Sequence, residues 1–283
     1  MPPIKSEIRA RKSRARIVSI HAPKAPPIHP FDRMYGTDTG GLIPGAELAT
    51  GSTSDAHITA YYAIAPSILN TLIDLWLQSG PPFAIDQYTL LDVGCGKGRA
   101  IMTAAQHPFR EVLGIEINAT LASIARANLH AFSTSPASQS LSPVDVLEGD
   151  ALAVLLPDSP TLVMMFHPFE APVLRRFIAR LQQHFDGRRG QLDILYVNAE
   201  HASLFERNPA FERLFNGMVP MSSADHLADL AEIAEQKDYG STGDEFCTIF
   251  RFTGRDHSRP TYYGSADTDD ADLNGLRYID PSK

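Results

Sequence analysis

The chain has 283 residues, 43% of them hydrophobic, with a formal net charge of -8 and cysteines only at Cys95 and Cys247. That is enough apolar material for one large α/β domain with additions, while the acidic balance argues against a body built to hold long nucleic acid. No run approaches the roughly 18 apolar residues of a membrane span, no secretory signal is visible, and two distant cysteines make no disulfide framework and fit no zinc pattern, which points to a reducing, cytoplasmic setting.

Residues 1–30 hold Lys5, Arg9, Arg11, Lys12, Arg14, Arg16 and Lys24 against Glu7 alone, with Pro2, Pro3, Pro23, Pro26, Pro27 and Pro30. This reads as a disordered basic arm. A solvated tail is the first reading; nucleic-acid contact, membrane-surface contact and a mitochondrial presequence are the alternatives. Residues 31–80 form an N-terminal extension or helical cap. Its helix is expected over 66–78, where Ile68, Leu69, Leu72, Ile73 and Trp76 recur at helical spacing before Gly80 stops it.

Over 81–253 strand and helix alternate. Strands are expected at 88–93, 111–116, 144–147, 161–166, 191–197, 211–218 and 245–252. The helix over 97–106 follows the first strand. Asn118 caps the next helix, which runs to about 130 with Leu121, Ile124 and Leu129 inward. The Ser- and Pro-rich stretch 132–143 reads as a loop, and Asp150 as an N-cap for a helical segment over 151–156. In the helix over 171–185, Pro172 suits the first turn, and Val173, Leu174, Phe177, Ile178 and Leu181 make one apolar stripe. A short inserted helix spans 222–236. The alternation implies an α/β fold, a doubly wound, mainly parallel seven-stranded sheet with an N-terminal helical extension. Residues 254–283, with Asp267, Asp269, Asp270 and Asp272, read as a flexible polar tail.

The turn after the first strand is Asp92-Val93-Gly94-Cys95-Gly96-Lys97-Gly98. Alternate glycines let backbone turn sharply and approach a ligand without a Cβ in the way. The N–H groups of the following helix give the turn an electropositive rim. A P-loop is absent, and the third glycine comes one position too early for the dinucleotide fingerprint, with Arg99 where that fingerprint wants a small residue. Glu116 ends the second strand where a ribose-binding carboxylate is expected, and Asp150 follows the third. Lys97 and Arg99 read as solvated or structurally paired.

The pattern Asp-x-Gly-x-Gly-x-Gly after a strand resembles motif I of the class I S-adenosylmethionine-dependent methyltransferases. The resemblance extends over about 31–198. It takes in Phe31-Asp32-Arg33-Met34-Tyr35-Gly36-Thr37-Asp38-Thr39-Gly40-Gly41, then Tyr61-Tyr62, Pro108-Phe109-Arg110 and Phe166-His167-Pro168-Phe169. Together these resemble a bacterial group whose fourth-strand motif is usually Asn-Pro-Phe and from which no acceptor can be transferred. The resemblance implies S-adenosylmethionine as cofactor and in-line methyl transfer. It implies that Asp92, Gly94, Cys95, Gly96 and Gly98 hold the amino-acid end, Glu116 the ribose, and Asp150 with the Ala151 N–H the adenine.

Cofactor and acceptor meet at the carboxyl ends of strands in such sheets, so the acceptor side is expected at Phe166, His167, Pro168 and Phe169. His167 stands where related enzymes carry an Asn that orients an amine. Its imidazole could take a proton near neutral pH. Phe169 would stack on the acceptor or close the pocket, and Tyr62 and Tyr35 would fold over the cofactor. Asn198 is read as a cap for a helix from about 199. His201 is given no role, and no metal-ligand cluster is expected among the ten histidines. The acceptor itself stays open between small molecule, protein and nucleic acid. A non-catalytic cofactor- or nucleic-acid-binding module and a nicotinamide-dependent oxidoreductase are the alternatives.

Overall fold

The five residues of β1 (Thr89–Val93) are all buried, as a strand with helices on both faces must be. This computed structural model describes residues 28–49, 59–234 and 240–254. Residues 1–27 of the expected arm and 255–283 of the expected tail lie outside them. In chain order the elements are α1 (Pro30–Tyr35), α2 (Pro66–Gln78), β1, α3 (Arg99–Ala104), β2 (Glu111–Glu116), α4 (Ala119–Thr134), β3 (Val144–Glu148) and β4 (Thr161–Phe166). There follow α5 (Ala171–His184), β5 (Leu192–Val197), α6 (Ser203–Glu206), β6 (Phe211–Pro220), α7 (Ser223–Glu232) and β7 (Asp244–Phe252). The seven strands make one sheet in the order β3-β2-β1-β4-β5-β7-β6. β1 to β5 pair in parallel, and β7 runs antiparallel to both β5 and β6.

The strand pleat sorts alternate residues to two cores. Leu90, Leu162, Met164, Leu195 and Val197 pack on the face covered by α2 and α3. Leu91, Val93, Val163, Met165 and Ile194 pack on the face covered by α5, through Leu174, Phe177, Ile178 and Leu181. A charged side chain also sits against the first core. Asp193 is fully buried. It accepts from Trp76 Nε1 at 2.7 Å and from Arg251 Nε at 2.9 Å, tying α2 to β5 and β7. No helix among the described residues is long and apolar enough to cross a membrane.

Several expectations shift. Helix α4 runs to Thr134, so Phe132 is helical; it packs in an aromatic cluster with Phe31 and Tyr35. Ser133 and Thr134 are helical too, their hydroxyls donating back to His130 O at 2.9 Å each, so the loop starts only at Ser135. Tyr35 packs between Phe31, tilted at 58°, and Phe132, edge-on, and donates to Gln106 Oε1 at 3.1 Å, which turns it away from the cavity beside the glycine turn. His29 and Pro30 belong to the folded unit rather than to an arm: His29 is buried, and its Nδ1 accepts from Phe31 N at the start of α1. The segment after Asp150 is a turn, with Asp150 Oδ1 accepting from Leu152 N at 2.8 Å. Residue Asn198 caps no helix, since α6 starts at Ser203 without a side-chain cap.

Candidate functional site

Gly94, Gly96 and Gly98 have φ of 80°, 54° and 93°, in the left-handed region that side chains with a Cβ avoid. The turn they make aims backbone N–H groups at the end of β2. Gly96 N donates to Glu116 Oε2 at 2.8 Å, and Asn118 N donates to Glu116 Oε1 at 2.8 Å. Both carboxylate oxygens are therefore held by backbone donors and keep spare acceptor capacity. Burial nonetheless pushes the Glu116 carboxyl above its ordinary range.

The glycines differ in what they serve. A Cβ on Gly96 would lie 2.2 Å from the Tyr61 ring, and one on Gly94 would lie 3.1 Å from Pro168 Cβ. Tyr61 is held there by its hydroxyl, which donates to Thr39 O at 2.6 Å. The N-terminal segment is thus fastened directly over the glycine turn. Gly98 packs against Ala125 and opens α3. The Cys95 thiol is turned inward: a Cβ on Gly114 would meet its Sγ at 2.7 Å. Burial raises the Cys95 pKa well above the ordinary thiol value, so the thiol is protonated, and Cys95 offers a ligand only its backbone.

A cavity of about 150 Å³ opens beside this turn. Its lining brings together Gly94, Glu116, Asp150, Ala151, Phe166 and Pro168, with Tyr62 and Phe169 beside them. Phe169 is fixed edge-on against Phe177 at 5.7 Å. Arg180 holds the turn that carries Asp150 by donating to Ala151 O at 2.9 Å and also to Val154 O.

A narrow crevice deeper in the site is lined by Asp92, Arg99, Cys95 and Tyr62. Asp92 is 2% exposed, and its Oδ2 has no hydrogen-bond partner. Burial, with the nearby charge of Glu116 second, pushes its pKa up to about 8. Arg99 is likewise buried rather than solvated. Its Nε donates to Thr39 Oγ1 at 2.7 Å, and its Nη2 lies 3.2 Å from Glu232 Oε1 and 3.7 Å from Asp32 Oδ2. Its Nη1 is buried without a partner. Asp32 in turn accepts from Thr39 N at 2.9 Å and from the Thr37 and Thr39 hydroxyls. This network, which joins α1, α3 and α7 around the glycine turn, was not visible in the sequence because its members lie far apart along the chain. Lys97 is also tied down, donating to Gly40 O at 2.8 Å. Tyr62 and Asp229 face each other without a well-formed hydrogen bond, and burial raises both of their pKa values, that of Asp229 to about 6.

A second cavity, of about 400 Å³, lies at the ends of β4 and β5. His167, Asn198, Glu200, Asp244 and Glu245 line it, and Thr59, Ala60, Tyr62 and Phe166 are common to both cavities. Burial pushes Glu245 up to about 7. His167 has φ of 41° and Asn198 of 46°, the two non-glycine residues with positive φ among those described. The His167 Nδ1 is 3.4 Å from the Tyr196 hydroxyl, and its Nε2 is 3.7 Å from Glu200 Oε2. Burial holds the imidazole below its ordinary pKa; His201 adds to that, while Glu200 and Glu170 oppose it. Contrary to the expectation of no metal-ligand cluster, ligand atoms of His167, Glu170 and His201 lie within 4.8 Å of one another. His201 and Glu170 are 31 residues apart, and only the fold brings them together.

Residues 90–186 match the family model described as a methyltransferase domain. No curated protein matches the chain. Among solved structures, the fold is similar to magnesium protoporphyrin IX methyltransferase from Synechocystis PCC 6803 with bound S-adenosylmethionine, at 13% identity over 66% of this chain and 78% of that one, TM-score 0.43. It is also similar to 23S rRNA methyltransferase ErmE, at 13% identity over 65% of this chain and 67% of that one, TM-score 0.41. A third is TrmN from Thermus thermophilus, at 15% identity over 67% of this chain and 49% of that one, TM-score 0.44.

Proposed function

We propose that this chain, residues 90–186 of which match a methyltransferase domain, is a class I S-adenosylmethionine-dependent methyltransferase that binds its cofactor with the carboxylates at the ends of β1, β2 and β3 and methylates a small-molecule acceptor at the ends of β4 and β5. The observation that carries the cofactor roles is the pair of unsatisfied groups in the deep crevice. Asp92 Oδ2 and Arg99 Nη1 are both buried without partners, and buried polar groups are ordinarily hydrogen-bonded. One acceptor and one cationic donor in the same crevice complement an ammonium and a carboxylate, the two ends of an amino acid.

In this reading Asp92 takes the ammonium and Arg99 the carboxylate, with Gly94 and the Cys95 backbone close by. Gly96 contributes its N–H to Glu116 and admits Tyr61 over the turn; Gly98 only opens α3. Glu116 keeps acceptor capacity on both oxygens for the ribose hydroxyls, and Asp150 with the Ala151 N–H meets the adenine. Phe166 and Tyr62 wall the boundary between the cavities, and Pro168 and Phe169 line the smaller one. When bound, the cofactor supplies a methyl group already activated by a sulfonium. The protein's work is then alignment and exclusion of water, and alignment can contribute roughly 7–11 kcal/mol. His167 acts on the acceptor at the rim of the second cavity.

A cavity of about 400 Å³ with Glu200 and Asp244 in its lining suits a small acceptor and repels a phosphate backbone. The two cysteines are free and buried, which fits a reducing compartment, and a cytoplasmic setting is part of the proposal. The test is transfer of label from S-adenosylmethionine in cell extract separated into small-molecule, RNA and protein fractions. Label in the small-molecule fraction is expected. Label confined to RNA or protein would overturn the acceptor class and leave the cofactor roles standing.

A further inference from the structure

We infer that His167, Glu170 and His201 form a binding site for a divalent transition-metal ion, zinc foremost, at the acceptor rim. The use of that ion rests on the proposed methyl transfer; the existence of the site does not. Three independent features converge on it.

The donors are already gathered. One ligand atom of each residue lies within 4.8 Å of the other two, and His201 Nε2 is 3.2 Å from Glu170 Oε2. Donors about 2.1 Å from a tetrahedral zinc ion sit about 3.4 Å from one another, so the set needs only modest closure. Two imidazoles and one carboxylate with a further position free is a donor set of catalytic zinc.

The imidazole is also oriented from behind. The Tyr196 hydroxyl stands 3.4 Å from His167 Nδ1 and leaves Nε2 for an ion. Ligating imidazoles usually make such a bond through the other ring nitrogen. The same hydroxyl accepts from His201 N at 3.4 Å, so one group positions both imidazole-bearing residues. Glu200 Oε2, 3.7 Å from His167 Nε2, offers a further carboxylate.

Finally, the backbone is strained where the donors are presented. His167 at φ 41° and Asn198 at φ 46° close two neighbouring strands in a conformation that costs non-glycine residues free energy. Such conformations persist where side chains must be aimed. His167 also lines the larger cavity, so an ion it holds borders the acceptor. The acceptor class narrows to a hydroxyl or thiol compound that can add its oxygen or sulfur to the ion. Bound there, the group would lose its proton to water more readily, and the freed lone pair would bond to the methyl carbon as the carbon–sulfur bond breaks and S-adenosylhomocysteine leaves with that electron pair. His167 then acts through the ion instead of receiving the proton itself.

The test is titration of the chelator-treated full chain, without cofactor, using Co²⁺ followed by its visible absorption and Zn²⁺ by calorimetry. One ion per chain is expected. His201→Asn and Glu170→Gln should weaken binding at least about tenfold, and Tyr196→Phe should do so about 10–100-fold, with thermal melts showing that each variant folds. No binding, or binding unchanged in both ligand variants, overturns the site. S-adenosylmethionine calorimetry on the same preparation separates the two readings. Cofactor bound without an ion defeats the metal site alone; an ion bound without cofactor defeats the methyl-transfer roles alone.

Discussion

The ring of Tyr61 occupies the space that a side chain at Gly96 would need: an added Cβ would stand 2.2 Å from it. The N-terminal segment and the glycine turn are therefore one device, with Tyr61 anchored to Thr39 O at 2.6 Å. Gly96→Ala should displace Tyr61 and strain a residue whose φ is 54°, lowering cofactor affinity at least about tenfold, or about 1.4 kcal/mol. In Tyr61→Ala the clash is absent, so Gly96→Ala should cost less in that background, by about 0.5–3 kcal/mol. Calorimetry on the four proteins of the cycle checks this; strict additivity would show that the two residues do not interlock.

Asp92 should make cofactor binding pH-dependent. Its folded-state pKa of about 8 is far above that of an ordinary carboxyl. From the ordinary carboxyl range up to about pH 8 the folded state holds a proton that the unfolded chain has released. Stability therefore falls by about 1.4 kcal/mol per pH unit over that window from this group, and levels off above it. Asp92→Asn should raise the melting temperature of the cofactor-free protein at pH 8 and leave it little changed at pH 4. If Asp92 pairs with an ammonium, it must ionise, so binding at pH 7 should release a proton to the buffer. Titrations in buffers of different ionisation enthalpy read that proton directly; no buffer dependence would count against the pairing.

Asp193 should be among the most costly positions to truncate. It is fully buried and bonded to both Trp76 and Arg251. Asp193→Ala strands a cation and an indole N–H, at a cost of about 3–5 kcal/mol, without touching either cavity. Urea unfolding measures it, and a loss below about 1 kcal/mol would contradict the role given to this pair.

His167→Ala should keep cofactor affinity and lose turnover by about 10²–10⁴-fold. Equal turnover in the variant would remove His167 from the chemistry and leave its left-handed backbone without a functional explanation.

Local signals recovered most of the frame. Pro66 in the first turn and Gly80 beyond the end bound α2 as read from sequence, and the apolar runs of β2 and β4 match residue for residue. Glu116 and Asp150 line one cavity because strand ends in such a sheet converge there. What stayed hidden depends on distant residues. Arg99 read as solvated or structurally paired, and its partners Asp32 and Glu232 could not be named from the sequence. His201 looked idle because its partners His167 and Glu170 arrive on another strand end. Tyr35 was misplaced because an aromatic that packs on α4 and one that covers a ligand have the same local sequence.

The most direct test is calorimetric titration of the full chain with S-adenosylmethionine, with NAD as the comparison and Glu116→Gln as the variant. Glu116 accepts from Gly96 N and Asn118 N at 2.8 Å each. Replacing one of its oxygens with a donor should weaken cofactor binding by about 1–3 kcal/mol. One S-adenosylmethionine bound per chain, weakened in Glu116→Gln, with no response to NAD, is the expected result. Binding of NAD with no response to S-adenosylmethionine, or equal S-adenosylmethionine affinity in the variant, would contradict the assignment of this site.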